Sequence, residues 1–172
     1  MTCINTEKIP ASLLALNTWV VWRYEQRLGQ KKLAKVPYNP VGKGKADTTR
    51  PETGSGFELA VAVYLAGGFD GIGIILTGTG LVGIDLDSCI TNGVLAPWAA
   101  AIVTRVASYT EVSPSGTGVH ILCRGALPAG RRKKGNIEMY DSGRFFTVTG
   151  NALEPARIEQ SARQFEGVVC HA

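Results

Sequence analysis

A chain of 172 residues, 45% of them hydrophobic, is long enough to form one domain with a buried core. Its 18 Lys and Arg against 14 Asp and Glu leave a net charge of +4, which permits a polyanionic partner without requiring one. No secretory signal, apolar run of membrane-spanning length or C-x-x-C pair is present. We therefore expect a reduced, soluble, cytoplasmic protein without membrane contacts or a zinc ribbon.

The first half of the chain predicts a hairpin between two helices. The segments, in order, are a short helix after Pro10 in "ASLLAL" (11–16), strands in "TWVVWRYEQ" (18–26) and "KLAKVPYNP" (32–40), a long loop (41–56) and a helix in "FELAVAVYLA" (57–66). Pro37 and Pro40 are expected to end the hairpin ladder, because proline lacks the N–H that a ladder needs.

The second half predicts mostly strands. "IGIILT" (72–77) and "LVGIDLD" (81–87) are interpreted as a hairpin, so "GTGLVG" (78–83) is its turn and not a dinucleotide fingerprint, which must open a helix. The remaining segments are a helix over 94–108, strands over 109–113, 119–125 and 136–142, a strand over 144–150 that closes the sheet, and a helix over 155–167. This order predicts an α+β fold with a mixed or antiparallel sheet.

Asp85 and Asp87 lie two positions apart in an apolar segment, so their side chains share one face of the strand. They are separated by roughly 6.6 Å along the strand, and two carboxylates on one face repel each other unless a cation lies between them. Mg²⁺ or Mn²⁺ would suit these oxygen ligands. A solvent-exposed strand end is the alternative, and the segment alone leaves both open.

The segment "SPSGTGVHILCRG" (113–125) places small residues before a histidine. Ser115, Gly116 and Gly118 would present backbone N–H groups to an anion, and His120 follows on the next strand. A triphosphate fits such a loop and imidazole. An ordinary tight turn followed by a core histidine is the alternative.

The segment "NIEMYDSGRFFTVTGN" (136–151) supplies a third carboxylate. Glu138 lies in mid-strand, where a buried carboxylate needs a partner, whereas the rival Asp141 lies in a turn that favours aspartate for its own sake. Arg144 would neutralise a phosphate or pair with Asp141. Together the three segments predict a metal-dependent phosphoryl-transfer site.

In their order, "GIDLD", "SPSGTGVHI" and "IEMYDSGRFFTVTG" resemble the motifs of the archaeo-eukaryotic primase superfamily, and most closely those of the primase-polymerase domains of phage and plasmid replication proteins. The resemblance covers roughly 18–151, within one catalytic core over 1–172 that ends in a helix or tail (152–172). It implies an RRM-like catalytic sheet, Mg²⁺ or Mn²⁺, nucleoside triphosphates, a DNA template and primer, and a helicase domain or protein as a further partner. The activity it implies is attack of a 3′-hydroxyl on an α-phosphate.

The resemblance also implies a role for each matching residue. Asp85, Asp87 and Glu138 would be catalytic and hold the metal ions. The triphosphate would be bound by Ser115, Gly116, Gly118, His120, Arg144 and Lys35. The nucleic-acid backbone would be bound by Lys43, Lys45, Arg131, Arg132, Lys133 and Lys134.

Three aromatic residues, Trp22, Tyr24 and Tyr140, are interpreted as packing residues, with base stacking as the alternative. This sequence shows no counterpart of the helical extension and helicase of complete replication proteins, and it is open whether it is a piece of a longer protein or a small stand-alone one. In either case primer extension is expected rather than initiation. Two other functions stay open: a catalytically weak nucleic-acid-binding module and a metal-dependent nuclease. The choices between deoxy- and ribonucleotides and between Mg²⁺ and Mn²⁺, and the oligomeric state, are also open.

Overall fold

The computed structural model describes residues 4–29, 32–42 and 44–153, which form two large antiparallel sheets, a small two-stranded sheet of Ile90–Thr91 with Val94–Leu95, and three helices. The helices are α1 (Ala11–Leu14), α2 (Phe57–Leu65) and α3 (Pro97–Val106), and 3₁₀ turns occupy Thr6–Lys8 and Pro51–Thr53. The strands are β1 (Trp19–Glu25), β2 (Ala34–Tyr38), β3 (Gly71–Ile75), β4 (Leu81–Leu86), β5 (Ile90–Thr91), β6 (Val94–Leu95), β7 (Tyr109–Val112), β8 (Val119–Arg124), β9 (Lys133–Lys134), β10 (Ile137–Tyr140), β11 (Phe145–Val148) and β12 (Ala152–Leu153).

The first sheet has four strands in the order β11-β3-β1-β2. Alternation along β1 directs Trp19 and Val21 to the face that α2 covers with Ala60 and Tyr64. Trp22 lies on the other face and is also buried. The first four residues of β1 are therefore buried on both faces of the sheet, which explains why all of them are apolar.

The second sheet has six strands in the order β12-β7-β8-β4-β10-β9. One face packs Val82, Ile84 and Ile121 in a core cluster with Ala99 and Val106 of α3. The opposite face contributes Leu81, Tyr109 and Leu122 to the core that it shares with the first sheet. Each strand thus has one face toward the helix and one toward the other sheet.

The predicted α+β fold with an antiparallel sheet is confirmed, but two strand pairings were wrong. β3 and β4 do not form a hairpin, because β3 pairs in the first sheet and β4 in the second. Between them the chain turns through Gly78 and Gly80, both with positive φ, and crosses from one sheet to the other. β11 pairs with β3 rather than closing the second sheet. Apolar periodicity identifies a strand but not its partner.

Pro37 was also wrongly expected to end the ladder, since it lies inside β2 opposite Trp22. β2 is an edge strand of its sheet, and a proline is tolerated there because its missing N–H faces away from the ladder. The predicted helix over 155–167 lies outside the described residues. Among the helices that the structure describes, none has the length and apolarity needed to cross a bilayer.

The two sheets meet where Phe146 of β11 packs on Gly83 of β4. A Cβ atom at Gly83 would lie 2.6 Å from carbon atoms of the Phe146 ring, a distance too short for any side chain. The absence of a side chain at Gly83 therefore allows β11 to approach β4.

We expect Gly83→Ala to destabilise the protein by about 1–3 kcal/mol, because the added methyl group overpacks the contact between the sheets. Urea unfolding followed by circular dichroism measures this change. Gly44→Ala is the matched control, since no heavy atom lies within 4 Å of a Cβ placed at Gly44. Equal stability of the two variants would contradict this account of the sheet contact.

Candidate active site

Three of the predicted site residues lie side by side on adjacent strands. Asp85 of β4 is directly opposite His120 of β8 on one side and Glu138 of β10 on the other. Residues opposite each other in an antiparallel pair project from the same face. The structure therefore brings His120 and Glu138, which lie 35 and 53 residues after Asp85 in sequence, into one line with it across the sheet.

The line lies where the two sheets separate. Leu81 and Leu122, toward one end of the central strands, are buried between the sheets, whereas Asp85 and His120 lie farther along the same face. There they border a cavity of about 190 Å³, which is lined by Lys35, Asp85, His120, Phe145, Phe146 and Thr147. Lys35 comes from β2 of the first sheet, so both sheets supply side chains to the cavity.

Asp85 is a poorly solvated carboxylate among other carboxylates. Burial raises its pKa to about 7, and the negative charges of Asp87 and Glu138 act in the same direction. The positive charges of Lys35 and Lys133 oppose this rise. The ionised form of Asp85 thus lacks sufficient compensation from the protein alone and would gain from a nearby cation.

Lys35 supplies a half-buried positive charge beside these carboxylates. Burial lowers the pKa of its ammonium group, while Asp85, Asp87 and Glu111 act to raise it. Its Nζ also lies 5.5 Å from the centroid of the Trp22 ring. Lys35 therefore lies at the cavity where the triphosphate is predicted to bind.

His120 is buried and neutral at pH 7, since burial, and secondly the charge of Lys35, lower its pKa to about 4. Its Nδ1 lies 3.3 Å from both the carbonyl oxygen and the hydroxyl oxygen of Thr147. Its Nε2 lies 3.7 Å from Asp85 Oδ1, a contact that is not an ion pair while the imidazole is neutral. Phe146 packs against the imidazole with the ring centroids 5.4 Å apart.

Glu138 is held at the edge of the line by two partners. Lys133, opposite it on β9, forms an ion pair with it, and the Tyr140 hydroxyl donates a hydrogen bond of 2.8 Å to Oε2. The hydrogen bond from Lys133 is the main cause of its lowered pKa, and Arg144 contributes weakly. The Arg144 guanidinium carbon lies 4.7 Å from the centroid of the Tyr140 ring.

Asp141, the rival third carboxylate, makes contacts that stabilise a loop. It accepts the backbone N–H of Leu127 at 2.9 Å and lies 3.7 Å from the Arg132 guanidinium. Asp141 is not opposite Asp85 in the sheet register. Its contacts hold the loop before β9, and Asp141 does not line the cavity.

The loop with Ser115, Gly116 and Gly118 lies beside the end of β4. A Cβ at Gly118 would lie 2.6 Å from the carbonyl oxygen of Leu86, so only glycine permits this approach. The Gly116 N–H donates to the Ser113 carbonyl at 2.8 Å, and the hydroxyl groups of Ser115 and Thr117 are 3.0 Å apart. These groups bond to one another in the loop, and triphosphate binding by the loop stays a prediction.

The basic residues predicted to bind nucleic acid do not form one patch. Lys45 pairs with Glu25 at 2.9 Å, and alternation along β1 and β2 places Glu25 on the face opposite Lys35. Lys133 and Lys134 form β9 at the sheet edge, and the exposed Arg131 precedes the half-buried Arg132. Lys43 lies outside the described residues.

The sequence analysis missed Glu111, a fully buried carboxylate of β7 that lies opposite His120. It accepts the backbone N–H groups of Thr149 and Gly150 at 2.9 and 3.0 Å and the Tyr109 hydroxyl at 2.7 Å. Burial raises its pKa in spite of these bonds. The reasoning that singled out Glu138, a carboxylate in mid-strand, applies equally to "YTEVS". Thr147, which contacts His120, gave no such signal.

The donor set at the site fits a divalent cation in chemistry. Asp85, Asp87 and Glu138 offer carboxylate oxygens, and the pKa of Asp85, raised first by burial, is raised further by the charges of the other two. Within the part of the chain that the structure describes, however, no three Asp, Glu, His or Cys side chains already converge as a metal cluster. Asp87 is exposed just after β4, and Glu138 is paired with Lys133. To bind the metal ion, the Glu138 carboxylate would have to give up its ion pair with Lys133.

Comparison with known proteins supports the same family resemblance. No protein-family model matches the chain. The chain is similar to a DNA primase-polymerase of Nitratiruptor phage NrS-1, with 34% identity over an alignment of 158 residues, and the alignment covers 86% of this chain. The chain spans only 21% of the length of that relative. The similarity supports a relationship to a phage primase-polymerase, while membership of the archaeo-eukaryotic superfamily stays a prediction.

Without metal, we expect Asp85→Asn to be more stable than the wild type at pH 8. The pKa of Asp85 is about 7 in the folded protein against an ordinary value of 3.8, so the folded state binds the proton more tightly. The stability that this gives is present below pH 3.8 and is lost as the pH rises to about 7. The variant cannot ionise here, so its advantage should grow over that interval.

Melting temperatures of both proteins in EDTA, from pH 4 to pH 8, measure this difference, at roughly 2–4 °C for each kcal/mol. The lowered pKa of His120 has the opposite sign and acts between about pH 4 and pH 6.5, where it is coupled to the substitution because His120 Nε2 lies 3.7 Å from Asp85. The change from pH 6.5 to pH 8 is therefore the part that reports Asp85. A difference that does not change with pH would contradict the raised pKa of Asp85.

Proposed function

We propose that this chain is the catalytic core of a template-dependent DNA primase-polymerase. Its reaction would join a nucleoside triphosphate to the 3′-hydroxyl of a primer. The observation that carries the proposal is the line formed by Glu138, Asp85 and His120 across three adjacent strands, beside a cavity that Lys35 also lines. The similarity to a phage DNA primase-polymerase supports the same reaction class.

In this reaction the 3′-oxygen attacks the α-phosphorus, which forms a new P–O bond and breaks the bond to the β-phosphate. Pyrophosphate leaves, and the hydroxyl proton is lost. Negative charge accumulates on the phosphate oxygens, so the site needs cations close to them. Carboxylates alone would repel the substrate.

The carboxylates of Asp85, Asp87 and Glu138 would hold Mg²⁺ or Mn²⁺. Such ions, when bound, activate the attacking oxygen and stabilise the charge on the leaving group. Asp85 is the central ligand in this proposal because it lies between the other elements of the line. Glu138 would join it after it separates from Lys133, and the freed ammonium group would be available to the nucleic-acid backbone.

Lys35 and His120 would bind the triphosphate from the first and second sheets. Lys35 supplies a positive charge to the cavity that Asp85 and His120 also line. His120 donates to a phosphate oxygen when its hydrogen is on Nε2, and in that tautomer the Thr147 hydroxyl donates to Nδ1. Thr147 is thus a positioning residue for His120.

The remaining predicted residues would bind the outer parts of the substrates. Ser115, Gly116, Gly118 and Arg144 would contact the triphosphate. The nucleic-acid backbone would be bound by Lys43, Lys45, Arg131, Arg132, Lys133 and Lys134. A helicase domain or protein would be a further partner during replication.

Extension of a labelled DNA primer on a template, with dNTPs and Mg²⁺ or Mn²⁺, tests this function. We expect extension to require the metal and to fall at least about a hundredfold in Asp85→Asn, Asp87→Asn and Glu138→Gln, because each removes an ionised metal ligand.

Asp141→Asn is the matched control, since an amide oxygen can still accept the Leu127 N–H. It should keep most of the activity. Loss of extension in Asp141→Asn with full activity in Glu138→Gln would reverse the assignment of the third carboxylate. Metal-independent extension, or none in the wild type, would contradict the proposed reaction.

A further inference from the structure

Tyr24 is an exposed aromatic side chain on the same sheet face as the candidate active site. Its side chain is 41% exposed, whereas Trp22, two residues earlier on the same face, is buried. Lys35, which lines the cavity, lies directly opposite Tyr24 in β2. The exposed ring is therefore adjacent to the site rather than on a remote surface.

The structure around Tyr24 holds its ring in a defined orientation. The Trp22 ring lies across Gly71, where a Cβ would be 2.9 Å from it, and its Nε1 donates to the Ile72 carbonyl at 3.0 Å. Tyr24 packs edge-on against this immobilised ring, with the centroids 5.1 Å apart. Its backbone N–H donates to Asp70 at 2.7 Å. The Tyr24 ring is thus held by the Trp22 ring on one side, while the rest of it is exposed to solvent.

Apolar and basic groups extend this surface along the hairpin. Leu33, the residue just before β2, is 55% exposed. Arg27 and Lys32 are exposed near the end of the hairpin. We name the surface formed by Tyr24, Leu33 and Lys35 the hairpin strip; the buried Trp22 supports Tyr24 beneath it.

We propose that the hairpin strip binds single-stranded DNA, with Tyr24 stacking against a base just outside the cavity. Aromatic rings bordered by cations are the surface that single strands recognise, because every base has a stacking face and every linkage carries a negative charge. The strip is continuous with the cavity through Lys35, which would direct a bound strand toward Asp85. The inference rests on the proposed function, since it identifies the strand as the template.

The test measures binding of a fluorescently labelled single-stranded oligonucleotide by anisotropy, in EDTA and without nucleotides. We expect Tyr24→Ala to weaken binding about tenfold, and Tyr24→Phe, which keeps the ring, to bind like the wild type. The dependence of binding on salt should not change in Tyr24→Ala, because no phosphate contact is removed. Leu65→Ala, at another exposed apolar residue on α2, is the control and should have no effect.

Wild-type affinity in Tyr24→Ala would overturn the inference and leave the strip to another partner, such as a protein. An equal loss in Leu65→Ala would overturn it too, since the effect would then be general. Primer extension is not part of this measurement. A chain that binds DNA through Tyr24 but does not extend primers would keep this inference and lose the proposed function, and the reverse result would do the opposite.

Discussion

The partial burial of one carboxylate, Asp85, at the cavity that both sheets line is the constraint on which the site depends. Burial disfavours its ionised form, and the charges of Asp87 and Glu138 add to this cost. Lys35 and Lys133 compensate for it only in part. A protein gains little stability from such a cluster, so its presence favours a function in which a cation or a charged substrate completes it.

The contact between the sheets explains how the other groups reach Asp85. Gly83 lets Phe146 of β11 pack on β4, and the next residue, Thr147, then contacts His120. Glu111 stabilises the chain after β11 by accepting the N–H groups of Thr149 and Gly150. Residues buried at the contact between the sheets thereby set the position of the imidazole.

The sequence predicted the strands of four residues or more and the shared face of Asp85 and Asp87, because alternation with a period of two is a local property. It missed the two-residue strands β5, β6, β9 and β12, and the predicted helix over 94–108 was wrong at its start, where Val94–Leu95 form β6 and α3 begins only at Pro97. It did not predict that β3 and β4 belong to different sheets, since pairing depends on packing between distant segments. The neighbours Glu138 and His120 were assigned to the site by motif, whereas their register with Asp85 came only from the fold. Glu111 was missed although it carries the signal that identified Glu138.

The most direct test of the account is a crystal structure of the protein soaked in Mn²⁺, with anomalous diffraction recorded to locate the ion. The account predicts an anomalous peak bounded by carboxylate oxygens of Asp85, Asp87 and Glu138, with Lys133 separated from Glu138. A peak elsewhere, or a site free of Mn²⁺ with the ion pair between Lys133 and Glu138 intact, would contradict the claim that these three carboxylates form a metal centre.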